Sequence, residues 1–324
     1  MKTILSRSCF AAILLIVILA GSCTRNESTN HNYDVYNQYE LDKAIVQILT
    51  TNLATGLETI FSQDRYDSTE MAHMCQAIIN PVRFFDDKSG YFFVESNDAW
   101  SIATPIQPEV IRTYRYNIQD AYGKYYVRDM VNTIKYTGYG FVEYHYDNPV
   151  SGEYERKLGF VKSIPSAGFW AGAGFFGDPE LYYYDQEEAM KIIVKEASIA
   201  TGEGLAGIFS EIYSDSLQRV QFCRDFIDHI RFFDDQSGYF FIYDFNNICV
   251  AHALQKDLEG KDLSDWQDSR GKYVSRDAVA IASGPGSGYF DYYWNDPETG
   301  KEEKKISYIV KIPGIDYLIG TGFY

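Results

Sequence analysis

Histidine and cysteine are scarce, with five of each among 324 residues. No His-x-x-x-His or Cys-x-x-Cys spacing occurs, so a transition-metal centre is not expected. Basic residues are outnumbered, 29 Lys and Arg against 45 Asp and Glu, and the formal net charge is −16. Such a surface repels phosphate backbones, which excludes nucleic acid as the expected partner. It leaves small ligands open, because a pocket can be locally positive. After Cys23 every apolar run is interrupted within a few residues by Tyr, Asp, Lys or Gly, well short of the roughly 20 residues that span a bilayer. Enzyme signatures are missing as well. Gly284-Pro285-Gly286-Ser287-Gly288 lacks the Lys-Ser/Thr ending of a phosphate loop and reads as a turn. Asp86-Asp87 and Asp234-Asp235 read as turn or capping acids rather than an acid–base pair, and Ser307 and His252 are no nucleophile pair by spacing alone. The expectation is a non-enzymatic chain with no catalytic residues, no cofactor and no metal.

The N-terminus carries a targeting segment. Lys2 and Arg7 precede a short apolar run over residues 10–20, the length of a signal peptide's hydrophobic core. It leads into Leu19-Ala20-Gly21-Ser22-Cys23, which resembles a prokaryotic lipoprotein box, although Ala20 and Ser22 are not its preferred residues. Residues 1–22 are therefore expected to be a signal peptide, Cys23 the lipidated first residue, and 23–32 a polar tether. Ordinary signal cleavage after Ser22 is the alternative. The first reading anchors the chain to a membrane by lipid, the second secretes it, and both place it outside the cytoplasm in the cell envelope. Three cysteines remain in the body. Cys75 and Cys223 read as equivalent buried helix positions, and either Cys223 pairs with Cys249 or all three are buried thiols.

The body is one module used twice. The string at Arg83, RFFDDKSGYFFV, recurs at Arg231 as RFFDDQSGYFFI, 148 positions later, and the offset holds to Tyr324. Upstream it pairs Cys75 with Cys223 and Ile60-Phe61-Ser62 with Ile208-Phe209-Ser210. A repeat this long is a domain, so modules are assigned to 33–176 and 181–324, each expected to own a core. Each opens with a helical stripe, in the first copy Leu41, Ile45, Ile48, Leu49, Leu53, Leu57, Ile60 and Phe61. A second, shorter helix follows, capped by Asp67-Ser68 or Asp215-Ser216. Strand periodicity takes over at 239–243 and 248–252, a helical patch spans 273–282, and strands return at 289–294, 305–312 and 317–323. Helices followed by a mainly antiparallel five-stranded sheet make an α+β fold.

The strings of the second copy carry a resemblance. They are Gly238-Tyr239-Phe240-Phe241, His252, Glu259-Gly260-Lys261-Asp262, Gly271-Lys272, Gly288-Tyr289-Phe290-Asp291-Tyr292, Lys305-Ile306-Ser307-Tyr308-Ile309 and Ile319-Gly320-Thr321-Gly322-Phe323-Tyr324. Together they resemble the Cache family of extracellular sensor domains, specifically the single Cache domain of type 2. The resemblance implies two tandem PAS-like modules, each with a long N-terminal helix on one sheet face and a small-molecule pocket on the other. It also implies a role in chemoreceptors and sensor kinases, where type 2 members recognise short carboxylates or other small metabolites. The first copy departs from the pattern: Thr104 stands for His252 and Phe160 for Tyr308, while Lys157, Tyr144 and Arg128 match Lys305, Tyr292 and Arg276. The copies then bind different ligands, or one works and the other is structural, and the second is the one expected to bind.

A small anion needs a cation or hydroxyls on apolar walls. Lys305, Arg276, His252, Tyr292 and Tyr308 are the candidate polar groups, with Tyr239, Phe241 and Trp294 as walls. Strand alternation puts Lys305 and Tyr308 on opposite faces, so one of that pair is structural. The chain ends at Tyr324, where a receptor of this family enters the membrane. The expected function is thus an extracytoplasmic lipoprotein that binds a small organic ligand and acts through a separate membrane receptor, sensor kinase or transporter. The alternative is a cell-envelope scaffold or glycan- or protein-interaction module, which predicts pockets packed solid, or a solvent-facing row of aromatic rings, instead of an enclosed polar cavity in the second copy.

Overall fold

The computed structural model describes residues 36–177, 182–297 and 299–324. The expected signal peptide, Cys23, the tether and the first residues assigned to each module lie outside them.

The first copy runs β1 (Tyr36–Asn37), α1 (Gln38–Phe61), α2 (Ser68–Ile79), β2 (Phe92–Ser96), β3 (Ser101–Ala103), α3 (Tyr126–Thr137), β4 (Tyr139–Asp147), β5 (Tyr154–Ile164) and β6 (Phe169–Phe176). The second repeats it as β7 (Tyr183–Tyr184), α4 (Gln186–Glu211), α5 (Ser216–Ile227), β8 (Phe240–Asp244), β9 (Cys249–His252), α6 (Val274–Ser283), β10 (Ser287–Asn295), β11 (Glu302–Lys311) and β12 (Tyr317–Phe323). The caps are side-chain acids. Asp67 accepts from Thr69 and Glu70 while Glu70 returns the bond, and Asp215 accepts from Leu217 and Gln218. Each satisfies amides that a helix N-terminus leaves open.

Each copy closes into an antiparallel five-stranded sheet, in the orders β3-β2-β6-β5-β4 and β9-β8-β12-β11-β10. The last strand of each copy lies at the sheet centre, so β12 touches both β8 and β11 and brings the chain end into the module interior. The Arg-Phe-Phe-Asp-Asp string is the turn between helix and sheet. Asp87 accepts from the Ser89 amide and Asp235 from the Ser237 amide, both at 2.9 Å, which is the turn role expected of these acids.

The inner layer departs from the expectation that each copy owns its core. α1 has the length and apolarity of a membrane span, yet its stripe, including Leu41, Ile45, Leu49 and Leu57, is buried in one cluster with Ile193, Leu205, Ile208 and Phe226 of the second copy. The copies are related by an internal two-fold. Tyr36 pairs with Tyr184, its own counterpart in the repeat, where β1 and β7 form a short ribbon. A Cβ on Gly56 would lie 2.4 Å from the Phe226 ring, and one on Gly204 would lie 3.0 Å from Ile78. Gly204 is the counterpart of Gly56, and Phe226 of Ile78, so the same knob fills the same notch in both directions. The shared seam buries side chains that each helix alone would expose. Outer-face clusters around Val127 and Trp170 in the first copy, and Phe241 and Tyr292 in the second, remain separate.

Cys75, Cys223 and Cys249 are buried free thiols, so no Cys223–Cys249 bridge forms. All three sit in apolar packing that pushes their pKa upward, as burial disfavours a thiolate.

Candidate functional site

The sheet face away from α4 gathers six of the eight residues named from the sequence. Along β11, Lys305, Ser307 and Ile309 point to this face, whereas Ile306, Tyr308 and Val310 point to α4. Lys305 is fully buried. Its Nζ lies 3.6 Å from the centre of the Tyr239 ring and 3.5 Å from the Tyr324 hydroxyl. Among the described residues it forms no ion pair, and burial holds its ammonium well below the ordinary lysine range. Lys157 in the first copy repeats this, fully buried, 2.7 Å from the Tyr91 hydroxyl and 3.9 Å from that ring's centre.

His252 ends β9 beside it. Its ring lies 5.3 Å from Tyr239, 6.4 Å from Phe241 and 6.0 Å from Trp294, nearly parallel to the last two. Its Nδ1 accepts from the backbone amides of Leu254 and Gln255, at 3.3 and 3.0 Å. That fixes the tautomer: the ring proton is on Nε2 and available to donate. Burial, reinforced by the Lys305 charge, pushes the imidazole pKa down to about 3, so the ring is neutral at physiological pH. Tyr292 shares its hydroxyl with Ser307 at 3.2 Å and stands edge-on to Trp294. The face thus offers one cation, one imidazole donor and the hydroxyls of Tyr239, Tyr292, Ser307 and Tyr324 on aromatic walls.

Two residues named from the sequence lie elsewhere. Tyr308 faces α4, on the side of the sheet opposite Lys305, donates to Ser287 at 2.9 Å and packs on Tyr289. Arg276 stands on the outside of α6, half-exposed, 2.6 Å from Asp265 and stacked on Tyr273 at 4.3 Å. It clamps the loop before α6 instead of reaching the buried face. Tyr324, not singled out individually, belongs to the site, bonding the Asn295 carbonyl at 2.8 Å and touching both Tyr239 and Lys305. Its counterpart is Phe176, so the added hydroxyl was the available signal.

Each copy holds a small cavity at its outer sheet face. In the second copy the face is packed, and a cavity of about 80 Å³ lies beside it, lined by Gln255, Leu258, Leu263, Trp266, Trp294 and Glu302 among others. The first copy holds a smaller cavity, about 30 Å³, about one water, among Glu95, Arg115, Tyr126 and Tyr144. There Arg115 lies 3.4 Å from Glu95 and donates to Tyr126 at 2.8 Å. Burial pushes the Glu95 carboxyl up to about 7 against the pull of Arg115. The second copy has Tyr243, Leu263 and Val274 at those positions, so the modules differ in chemistry at the same place in the fold. Among the described residues, no group of three His, Cys, Asp or Glu side chains could hold a metal ion.

The chain matches the Cache domain over residues 27–197 and 220–324. A stretch of 89 residues is 33% identical to the sensor histidine kinase MctS of Rhizobium johnstonii, covering 28% of this chain and 19% of that kinase's length. Among solved structures, it is similar to a periplasmic sensor domain of a chemotaxis protein, 24% identical over 42% of this chain and 92% of that one, TM-score 0.37. It is also similar to a Cache chemosensory domain described for carboxylic acid recognition, 26% identical over 43% of this chain and 92% of that one, TM-score 0.35. The two-copy repeat, the helix-backed antiparallel sheets and the match over most of the sequence lead to one assignment: the chain belongs to the Cache family of extracytoplasmic sensor domains.

Proposed function

We propose that the second module binds a small organic carboxylate through Lys305 and His252, and that binding, not catalysis, is the chain's activity. Cache domains are extracytoplasmic small-molecule sensors, and the observation that carries the ligand class is Lys305. A fully buried ammonium in no ion pair, its desolvation only partly offset by the Asp296 charge, is costly, and an anionic ligand is the partner that removes the cost. Nε2 of His252 adds a neutral donor at the same face, suited to the second carboxylate oxygen. The ligand enters through the cavity between Trp266 and Trp294, and these indoles, 4.5 Å apart, move aside for it. Thermal unfolding of the full chain against acetate, propionate, pyruvate and succinate tests this. The reading requires a concentration-dependent rise with at least one acid, and no rise with any would refute it.

The anchoring and output are part of the same proposal. Cys23 carries lipid, tethering the sensor by residues 23–32, and the ligand-bound form acts on a separate membrane receptor, sensor kinase or transporter. The apolar run before Leu19-Ala20-Gly21-Ser22-Cys23 supports the lipid. The wild-type chain should partition into the detergent phase of Triton X-114 extracts and Cys23→Ala into the aqueous phase. Equal partitioning of the two would exclude the anchor.

A further inference from the structure

We propose that the first module carries a second binding surface, for a linear uncharged polysaccharide, on an exposed ladder of planar side chains that the second module lacks. Trp100 and Tyr114 face each other across an antiparallel bridge beside β3, ring centres 5.6 Å apart. Tyr116, two residues on and so on the same side of an extended chain, stacks on Tyr114 at 6.3 Å and 27°. The Arg128 guanidinium continues the row, 5.2 Å from the Tyr116 ring centre and 3.7 Å from that of Tyr125. Trp100 is 47% exposed, Tyr114 50% and Tyr125 37%.

The repeat supplies an internal control. In the second module Ile248 and Asp262 form the same backbone bridge. Arg276 stacks on Tyr273 and pairs with Asp265, as Arg128 stacks on Tyr125 and bonds Asn117. The bridge and the arginine clamp therefore belong to the fold. The rings of Trp100 and Tyr114 do not, since Ile248 and Asp262 serve in their places, whereas Tyr116, Ser264 in the second module, is half-buried against the first module's outer core. Two exposed aromatic rings, Trp100 and Tyr114, that the fold does not need and that continue into a half-buried third mark an interaction surface.

Its shape and charge select the occupant. The faces of pyranose rings are C–H surfaces that stack on aromatic faces, and their hydroxyl rims bond flanking polar groups, here Arg112, Thr113 and Asn117, all exposed. The row is one ring wide, which fits a chain-like ligand better than a globular partner needing about 800 Å² on each side. The net charge of −16 turns away anionic polymers. A cationic ligand would meet Arg128 already seated on two of the rings.

Affinity electrophoresis of the full chain through gels containing hydroxyethyl cellulose, galactomannan, dextran or anionic alginate tests the proposal. Retardation is expected with at least one neutral glycan and not with alginate. Trp100→Ile combined with Tyr114→Asp, which installs the side chains the second module tolerates, should weaken that retardation about tenfold or more. The double variant should keep the wild-type unfolding temperature and any carboxylate-induced shift, which separates this surface from the Lys305 site. No retardation by any neutral glycan, or equal retardation of the variant, would overturn the proposal. So would self-association abolished by the variant without glycan binding, which would make the row an interface between copies.

Discussion

The Lys305 ammonium lies 3.6 Å from the centre of the Tyr239 ring and has no carboxylate partner among the described residues. Ring faces attract a cation, but they replace little of the hydration it has lost. Lys305→Met, which keeps the stem and removes the charge, should therefore stabilise the protein at pH 7 by on the order of 1–4 kcal/mol. Its urea midpoint should exceed that of the wild type; a lower midpoint would mean that the ammonium holds the module together. The native pKa is depressed, so the unfolded chain binds more protons below about 10.4, and this group makes wild-type stability rise with pH towards that value.

His252 and Glu95 should give opposite pH dependences in overlapping windows. His252 titrates near 6.5 when unfolded and about 3 when folded. The native state then binds fewer protons in that window, and stability present above about pH 6.5 is lost as pH falls. Glu95 is raised from the ordinary carboxyl range to about 7. Its native state binds more protons between about 4.3 and 7, so its contribution is lost as pH rises through that window. Across denaturation midpoints at pH 5, 6 and 7, the change of stability with pH should shift in the negative direction for His252→Gln and in the positive direction for Glu95→Gln. Slopes that both equal the wild type would contradict the two burial assignments.

The seam between copies predicts a sharp steric effect at Gly207. A Cβ there would lie 2.0 Å from the Ala77 carbonyl oxygen, a backbone atom that cannot turn aside. Gly207→Ala should destabilise by about 2–3 kcal/mol, outweighing the roughly 1 kcal/mol that alanine adds inside a helix. An unchanged or raised unfolding temperature would show that α2 and α4 are not held in this contact.

Local chemistry and periodicity were readable in the residues. The caps at Asp67 and Asp215, the acid turns at Asp87 and Asp235, and the two faces of β11 each depend on neighbours a few positions apart. What escaped the sequence depends on pairs that only tertiary packing creates. Arg276 has the type and family position of a ligand cation, but Asp265 and Tyr273 hold it at the surface. Glu95, Arg115 and Tyr126 come from three elements and look unrelated until the sheet curls over α3. The shared core was written as glycines, Gly56, Gly204 and Gly207, whose meaning appears only once Phe226, Ile78 and Ala77 lie opposite them.

Calorimetric titration of the full chain and of Lys305→Met with the carboxylate giving the largest thermal shift tests the central claim most directly. The account predicts saturable binding by the wild type and affinity lowered about tenfold or more in a fully folded Lys305→Met. Equal affinities for the two proteins would contradict it.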